Sequence, residues 1–171
     1  MNLDESRKAV MQMKECFEKL KFSVFPETEK IGDNQNNNYI EFYTPIKFEN
    51  VDNIIFRARL FYNMNGIELS ILLHLDFDYL KRLEIIHLLN QFNLSAGEVK
   101  WSLYDNEIEL KNTTLIDKSL SKKYFEQMIK KTISIGYMFC PLILKQIRCD
   151  KNPYDLVHET FFKDEELKMI D

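Results

Sequence analysis

The chain has 171 residues, 45% of them hydrophobic and 13% aromatic, enough to bury a sizeable core in one domain without a disulfide framework. Its formal net charge of -4 excludes a general attraction to nucleic acid or anionic lipid. Cys16, Cys140 and Cys149 lack CxxC or metal spacing and predict reduced thiols in the cytoplasm; the acidic start does not read as a signal peptide, and no stretch approaches the roughly 18 apolar residues of a membrane span.

Val10, Met13, Phe17 and Leu20 recur at helical spacing and predict an amphipathic helix over 5–20, with Asp4 and Ser6 as candidate caps. Phe22, Val24 and Phe25 predict a short extended continuation that stops at Pro26. The polar run 28–38 reads as a mobile surface loop. Aromatic alternation over 39–44 predicts a first strand, closed by Pro45.

Segments 53–63 and 67–76 flank Asn65-Gly66, the pair favoured in a two-residue type I′ turn because both central positions need positive φ. Such a turn places Met64 opposite Ile67. It pairs Tyr62 with Leu69, Leu60 with Ile71, Ala58 with Leu73 and Phe56 with Leu75 on an apolar face. On the opposite, mixed face it pairs Phe61 with Ser70, Arg59 with Leu72, Arg57 with His74 and Ile55 with Asp76. A slip of one residue would carry charge into the core.

Asp76 or Asp78 can cap a helix over 79–93. Leu80, Leu83, Ile85, Ile86, Leu88, Leu89 and Phe92 occupy most of its circumference and leave Glu84, His87 and Gln91 as a polar ridge. A helix of this kind needs a second cover besides its sheet, either another layer or a homodimer partner. Ser95-Ala96-Gly97 then leads into a hairpin across Asp105-Asn106, which sets Leu103 against Ile108 and Trp101 against Leu110. Its wet face pairs Ser102 with Glu109 and Lys100 with Lys111. Ser119 or Ser121 starts a last long helix, apolar from Phe125 to Ile147 and kinked or divided at Pro141. Residues 1–149 make up the expected domain; 150–171 are an acidic extension whose Tyr154, Val157 and Phe161 predict a short docking helix.

In order, the elements run helix, three strands, helix, two strands, helix: a two-layer α+β fold with a mainly antiparallel sheet. This order over 4–147, the run Ile86-His87-Leu88-Leu89-Asn90-Gln91-Phe92-Asn93, the following Trp101-Ser102-Leu103 and the Pro141-interrupted last helix resemble the YbjN-like proteins and, more broadly, the type III secretion chaperone fold. The resemblance implies a compact bacterial domain, often dimeric, that binds protein segments or serves a sensory or regulatory role. It implies no known substrate.

No motif for chemistry accompanies this order. Gly32, Gly66, Gly97 and Gly136 stand too far apart to cradle a phosphate, and His74, His87 and His158 lack metal spacing, so no cofactor and no metal are expected. Ser70, Ser102 and Ser134 lack a nucleophile elbow. Lys122, Lys123, Lys130 and Lys131, interrupted by Glu126, read as a solvated helix face and not as a nucleic-acid site. The candidate partner-binding residues are Ile55, Arg57, Arg59, Phe61, Leu72 and His74, apolar anchors ringed by charge on the outer face of the first hairpin. They predict a protein or peptide partner and a non-enzymatic, chaperone-like or regulatory adaptor that is cytoplasmic and homodimeric. The rival reading makes Arg57, Arg59 and His74 a grip for a small anionic ligand, in an enzyme or a binding protein, and requires a concave pocket.

Overall fold

The computed structural model describes residues 3–25, 27–30, 38–48, 51–61, 65–95, 97, 99–115 and 121–161. Helix α1 (Leu3–Lys19) is followed by β1 (Thr28–Lys30), β2 (Tyr39–Phe48), β3 (Val51–Phe61) and β4 (Gly66–His74). A 3-10 turn (Tyr79–Lys81) enters α2 (Arg82–Ser95), then come β5 (Val99–Tyr104), β6 (Glu107–Leu115), α3 (Lys122–Arg148) and α4 (Pro153–Phe161). The strands form one antiparallel sheet in the order β1-β2-β3-β4-β6-β5. This is the expected α+β order with one strand added at an edge.

That added strand corrects the reading of 28–38 as a loop. Thr28, Glu29 and Lys30 pair with Glu41, Ile40 and Tyr39, and β2 thereby gains a neighbour for its first residues; 31–37 lie outside the described residues. Further along the same edge, Phe25 N–H donates to the Tyr43 carbonyl at 2.9 Å and the Thr44 hydroxyl donates to the Ser23 carbonyl at 2.6 Å. Nor does Pro45 close β2, which runs on to Phe48 with Pro45 opposite Ile55. The Tyr43 carbonyl already points to the outer edge, so by strand alternation the N–H that Pro45 lacks belongs to that edge too, where no ladder bond is lost.

Register is the second correction. Leu60 pairs with Ile67, Ala58 with Leu69, Phe56 with Ile71 and Ile54 with Leu73, four residues along β4 from the expected pairing. Phe61 pairs with Gly66, so the glycine is already in the strand and the connection is longer than two residues; Asn65 alone takes a positive φ, 49°. Because four is an even number, the apolar face stays inward and the mixed face outward. Burial therefore cannot choose between the two registers. Charge can: the observed one puts Glu68, where the expected one put Leu72, opposite Arg59. The Asp105-Asn106 hairpin has the register its turn dictates, Leu103 with Ile108 and Trp101 with Leu110, with Asp105 at φ 48°.

All helix packing on the sheet uses its inward face: α1 lies on β2 and β3, α3 crosses β3, β4 and β6, and α2 covers β5. Phe17 drives α1 into the sheet, its ring 4.9 Å from that of Phe56 and 5.5 Å from that of Phe42. Lys122 pairs with Glu15 at 2.7 Å and Lys19 with Glu126 at 2.8 Å, which ties α1 to α3. Gly136 lets α3 approach closely, since a Cβ there would run into Ile71 and meet the Phe48 ring at 3.1 Å. Pro141 does not divide α3. It sits on the exposed side, where the carbonyl deprived of its donor meets water.

Ser121 caps α3 and Asp78 caps the 3-10 turn, accepting from Leu80 N–H at 3.1 Å. Ile85, Leu88, Leu89 and Phe92 are the buried side of α2, while part of its remaining surface is taken by α4 of the same chain. Lys81 fastens this corner, donating to the Cys149 carbonyl at 2.7 Å and to Asp150 at 2.6 Å. Gln146 joins it by donating to Glu84 at 3.0 Å and to the Lys151 carbonyl at 2.9 Å, so Glu84 of the polar ridge is engaged within the chain. Among the described residues no helix is long and apolar enough to cross a membrane.

Candidate partner-binding face

Since the helices occupy one side, the other side of the sheet carries the outward residues of β2, β3, β4, β6 and β5. Reading across the strands, one row runs Glu41, Arg59, Glu68, Thr113; the next runs Tyr43, Arg57, Ser70, Lys111, Lys100; the third runs Pro45, Ile55, Leu72, Glu109, Ser102. Acid and base alternate across the first row, from Glu41 through Arg59 to Glu68, and Glu109 is followed outward by Lys111 along β6.

The charges are matched at close range. Arg57 donates to Glu109 at 2.5 Å and lies 3.7 Å from Glu68. Arg59 reaches Glu41 at 3.0 Å and Glu68 at 3.3 Å, and Lys111 stands 3.4 Å from both Glu68 and Glu109. The carboxylates are 3% (Glu41), 7% (Glu68) and 4% (Glu109) exposed, a burial that charged groups tolerate only when paired. Burial pulls the Lys111 pKa down, but Glu68 and Glu109 outweigh it and hold the ammonium above its ordinary range. Tyr43 donates to Glu41 at 2.6 Å; burial first, and that bond second, push its phenol up to about 12.

An apolar margin adjoins this ion layer. The Arg59 guanidinium lies 5.0 Å over the Tyr39 ring, which is itself 5.2 Å from the ring of Phe61. Phe61 and Ile55 are half-buried, whereas Leu72 is only 4% exposed, roofed by the longer side chains around it. Of the residues singled out from sequence, Ile55, Arg57, Arg59, Phe61 and Leu72 share one face. His74 stands apart from Arg57, which is opposite Ser70 in the observed register. It is exposed at the strand end, its Nδ1 3.3 Å from Glu107, beside an open cavity of about 590 Å³ lined also by Asp76, Tyr104, Asp105 and Asn106. Arg57 and His74, opposite one another in the expected register and members of the expected anionic grip, are therefore not brought together.

Sequence reasoning missed Glu41, Glu68, Glu109 and Lys111. The turn assumption hid Glu68, which the displaced register moves away from Arg59; Glu41, Glu109 and Lys111 come from β2 and β6, whose pairing with this hairpin the sequence reading did not assign. Elsewhere, Lys130 and then Lys19 hold Glu126 down to about 2, so part of the lysine face of α3 is engaged within the chain. Among the described residues no group of His, Cys, Asp or Glu side chains could hold a metal ion. A second surface stands out on the 3-10 turn and α2, where Tyr79 and Leu80 on the turn and Leu83 and Leu94 on the helix are strongly exposed.

No protein-family model and no curated protein sequence matches the chain. Solved structures do. YbjN from E. coli, solved as a candidate transcription regulator, superposes with a TM-score of 0.52 over 80% of this chain and 89% of its own, at 15% identity. A chain of the ExsC-ExsE complex superposes with a TM-score of 0.52 over 84% of this chain and 97% of its own, at 13% identity. The chain has the YbjN-like, type III secretion chaperone-like fold. At these identities the likeness concerns the path of the backbone; the ion layer is described from this chain alone.

Proposed function

We propose that this chain is a non-enzymatic protein-binding module, chaperone-like or regulatory, that acts as a cytoplasmic homodimer and takes a polypeptide partner on its outer sheet face. The observation that carries the reading is the state of that face: a broad strand surface with its charges internally matched, margined by Tyr39, Ile55 and Phe61, and with no described helix lying on it. Charges already spent on one another attract small ions weakly, while the ordered side chains offer shape and aromatic area, the features that anchor protein interfaces. The neighbour solved as the ExsC-ExsE complex supports the same direction.

The homodimer reading is supported by α2. Leu83, His87, Asn90 and Leu94 lie on one exposed stripe whose order is its own mirror, so two antiparallel copies would set Leu83 against Leu94 and His87 against Asn90. The anionic-ligand alternative is opposed by the same geometry that supports protein binding. Both arginines face carboxylates, and His74 borders a cavity rich in acid.

Two double variants separate the claims. Ile55→Asp with Phe61→Asp is expected to abolish capture of the partner from the source cell, with the circular dichroism spectrum and solution mass unchanged. Leu83→Asp with Leu94→Asp is expected to reduce the solution mass to that of one 20.5 kDa chain. Capture by the first variant at the wild-type level would overturn the sheet-face reading; an unchanged mass in the second would overturn the α2 dimer.

A further inference from the structure

Every open sheet ends in two strands whose outer backbone groups can recruit a further strand, and such edges need protection. At the β2 edge the protection is visible: β1 covers Tyr39 to Glu41, the segment around Ser23 and Phe25 covers Tyr43 and Thr44, and Pro45 has no N–H to offer. The other edge is β5, which pairs with β6 on one side only. At its centre stands Trp101. The Trp101 N–H donates to Asn93 Oδ1 at 2.6 Å, and Asn93 Nδ2 donates to the Trp101 carbonyl at 2.9 Å.

These two bonds reproduce, with one side-chain amide, the exchange of N–H and C=O bonds that a paired residue on a neighbouring antiparallel strand would make. Because both backbone groups of Trp101 turn to Asn93, alternation assigns the backbone groups of Lys100 and Ser102 to β6 and those of Val99 and Leu103 to the outer edge. The carboxamide thus occupies the middle of the three outward positions. Asn93 belongs to the last turns of α2, where asparagine is a weaker helix former than alanine. Packing adds precision: Trp101 rests against the contacting pair Phe92 and Phe139, at 5.8 and 6.3 Å between ring centroids, which holds its backbone against the helix.

We propose that Asn93 is a strand surrogate that closes the β5 edge to strand addition by a second copy of this chain. The two variants that test it are Asn93→Ala, which removes both bonds, and Asn93→Asp, which keeps the acceptor but turns a second oxygen toward the Trp101 carbonyl. Amide exchange at Trp101 is expected to rise about tenfold or more in Asn93→Ala relative to the ladder amide of Leu110, the equivalent of one or two lost hydrogen bonds. Asn93→Asp should rise less.

Asn93→Ala should also form concentration-dependent oligomers in which the Leu103 amide becomes protected. It should still do so when Leu83→Asp and Leu94→Asp are added, which separates edge pairing from the α2 dimer. Wild-type exchange at Trp101 in a folded Asn93→Ala protein would overturn the surrogate. Fast exchange with no association beyond wild type, at about ten times the concentration that assembles an unguarded edge strand, would overturn the guard. Should Asn93→Ala fail to fold, the same two readings are taken from Asn93→Asp.

Discussion

Glu109→Ala is expected to lose about 3 to 5 kcal/mol of folding stability in urea denaturation, because it leaves Arg57 buried without its closest partner. The reason is the asymmetry between making and breaking a buried pair. Taking both charges from water costs about as much as their attraction returns, so the intact pair adds little; removing one strands the other in a site that is 12% exposed for Arg57. Glu68, at 3.7 Å, is too far to replace the lost 2.5 Å contact and already serves Arg59 and Lys111. The joint replacement Arg57→Met with Glu109→Leu should accordingly recover most of the loss, within about 1 to 2 kcal/mol of wild type. A loss below about 1 kcal/mol in Glu109→Ala would mean that the layer is open to water and its charges are free to act on ligands.

Phe17→Ala has a comparable expected cost, about 3 to 5 kcal/mol by the same denaturation, for a different reason. Its ring is fully buried and bridges three elements, touching Phe22 beyond α1 as well as Phe42 on β2 and Phe56 on β3. Close-packed neighbours cannot all move into the space it would leave, so the cavity term adds to the lost burial. Met11, on the opposite side of α1, is 63% exposed and serves as the control: Met11→Ala should stay within about 0.5 kcal/mol of wild type. Equal losses in the two variants would contradict the placement of α1 on the sheet.

Much of this architecture was legible in the residues, and the reasons differ by element. Helical spacing of Val10, Met13 and Phe17 located α1 because a helix on a sheet must bury one stripe. Asp105-Asn106 gave its register correctly because a two-residue turn leaves the strands no freedom. Asn65-Gly66 misled because the same dipeptide sits at the end of a longer connection, and the alternation of apolar residues is indifferent to any even displacement. Local turn chemistry and long-range ion pairing were in conflict there. The pairing of Glu68 with Arg59 and of Glu109 with Arg57 prevailed.

The candidate face was legible as a set of outward residues but not as an electrostatic unit. Arg57 and Arg59 looked available because their partners lie on other strands, 52 residues away for Glu109 and 18 for Glu41. Leu72 looked like an anchor; alternation does place it outward, yet β4 lies inside the sheet between β3 and β6 and Leu72 is only 4% exposed. The role of Asn93 had no signal in the periodicity of α2, since it depends on where the helix end meets β5.

Hydroxyl-radical footprinting of the chain, alone and with its captured partner bound, tests the central claim most directly. Partner binding should suppress oxidation of Tyr39, Ile55 and Phe61 severalfold and leave Met11 unchanged. Undiminished oxidation at Tyr39 and Phe61, with protection falling on another surface, would contradict the assignment of the outer sheet face to polypeptide binding.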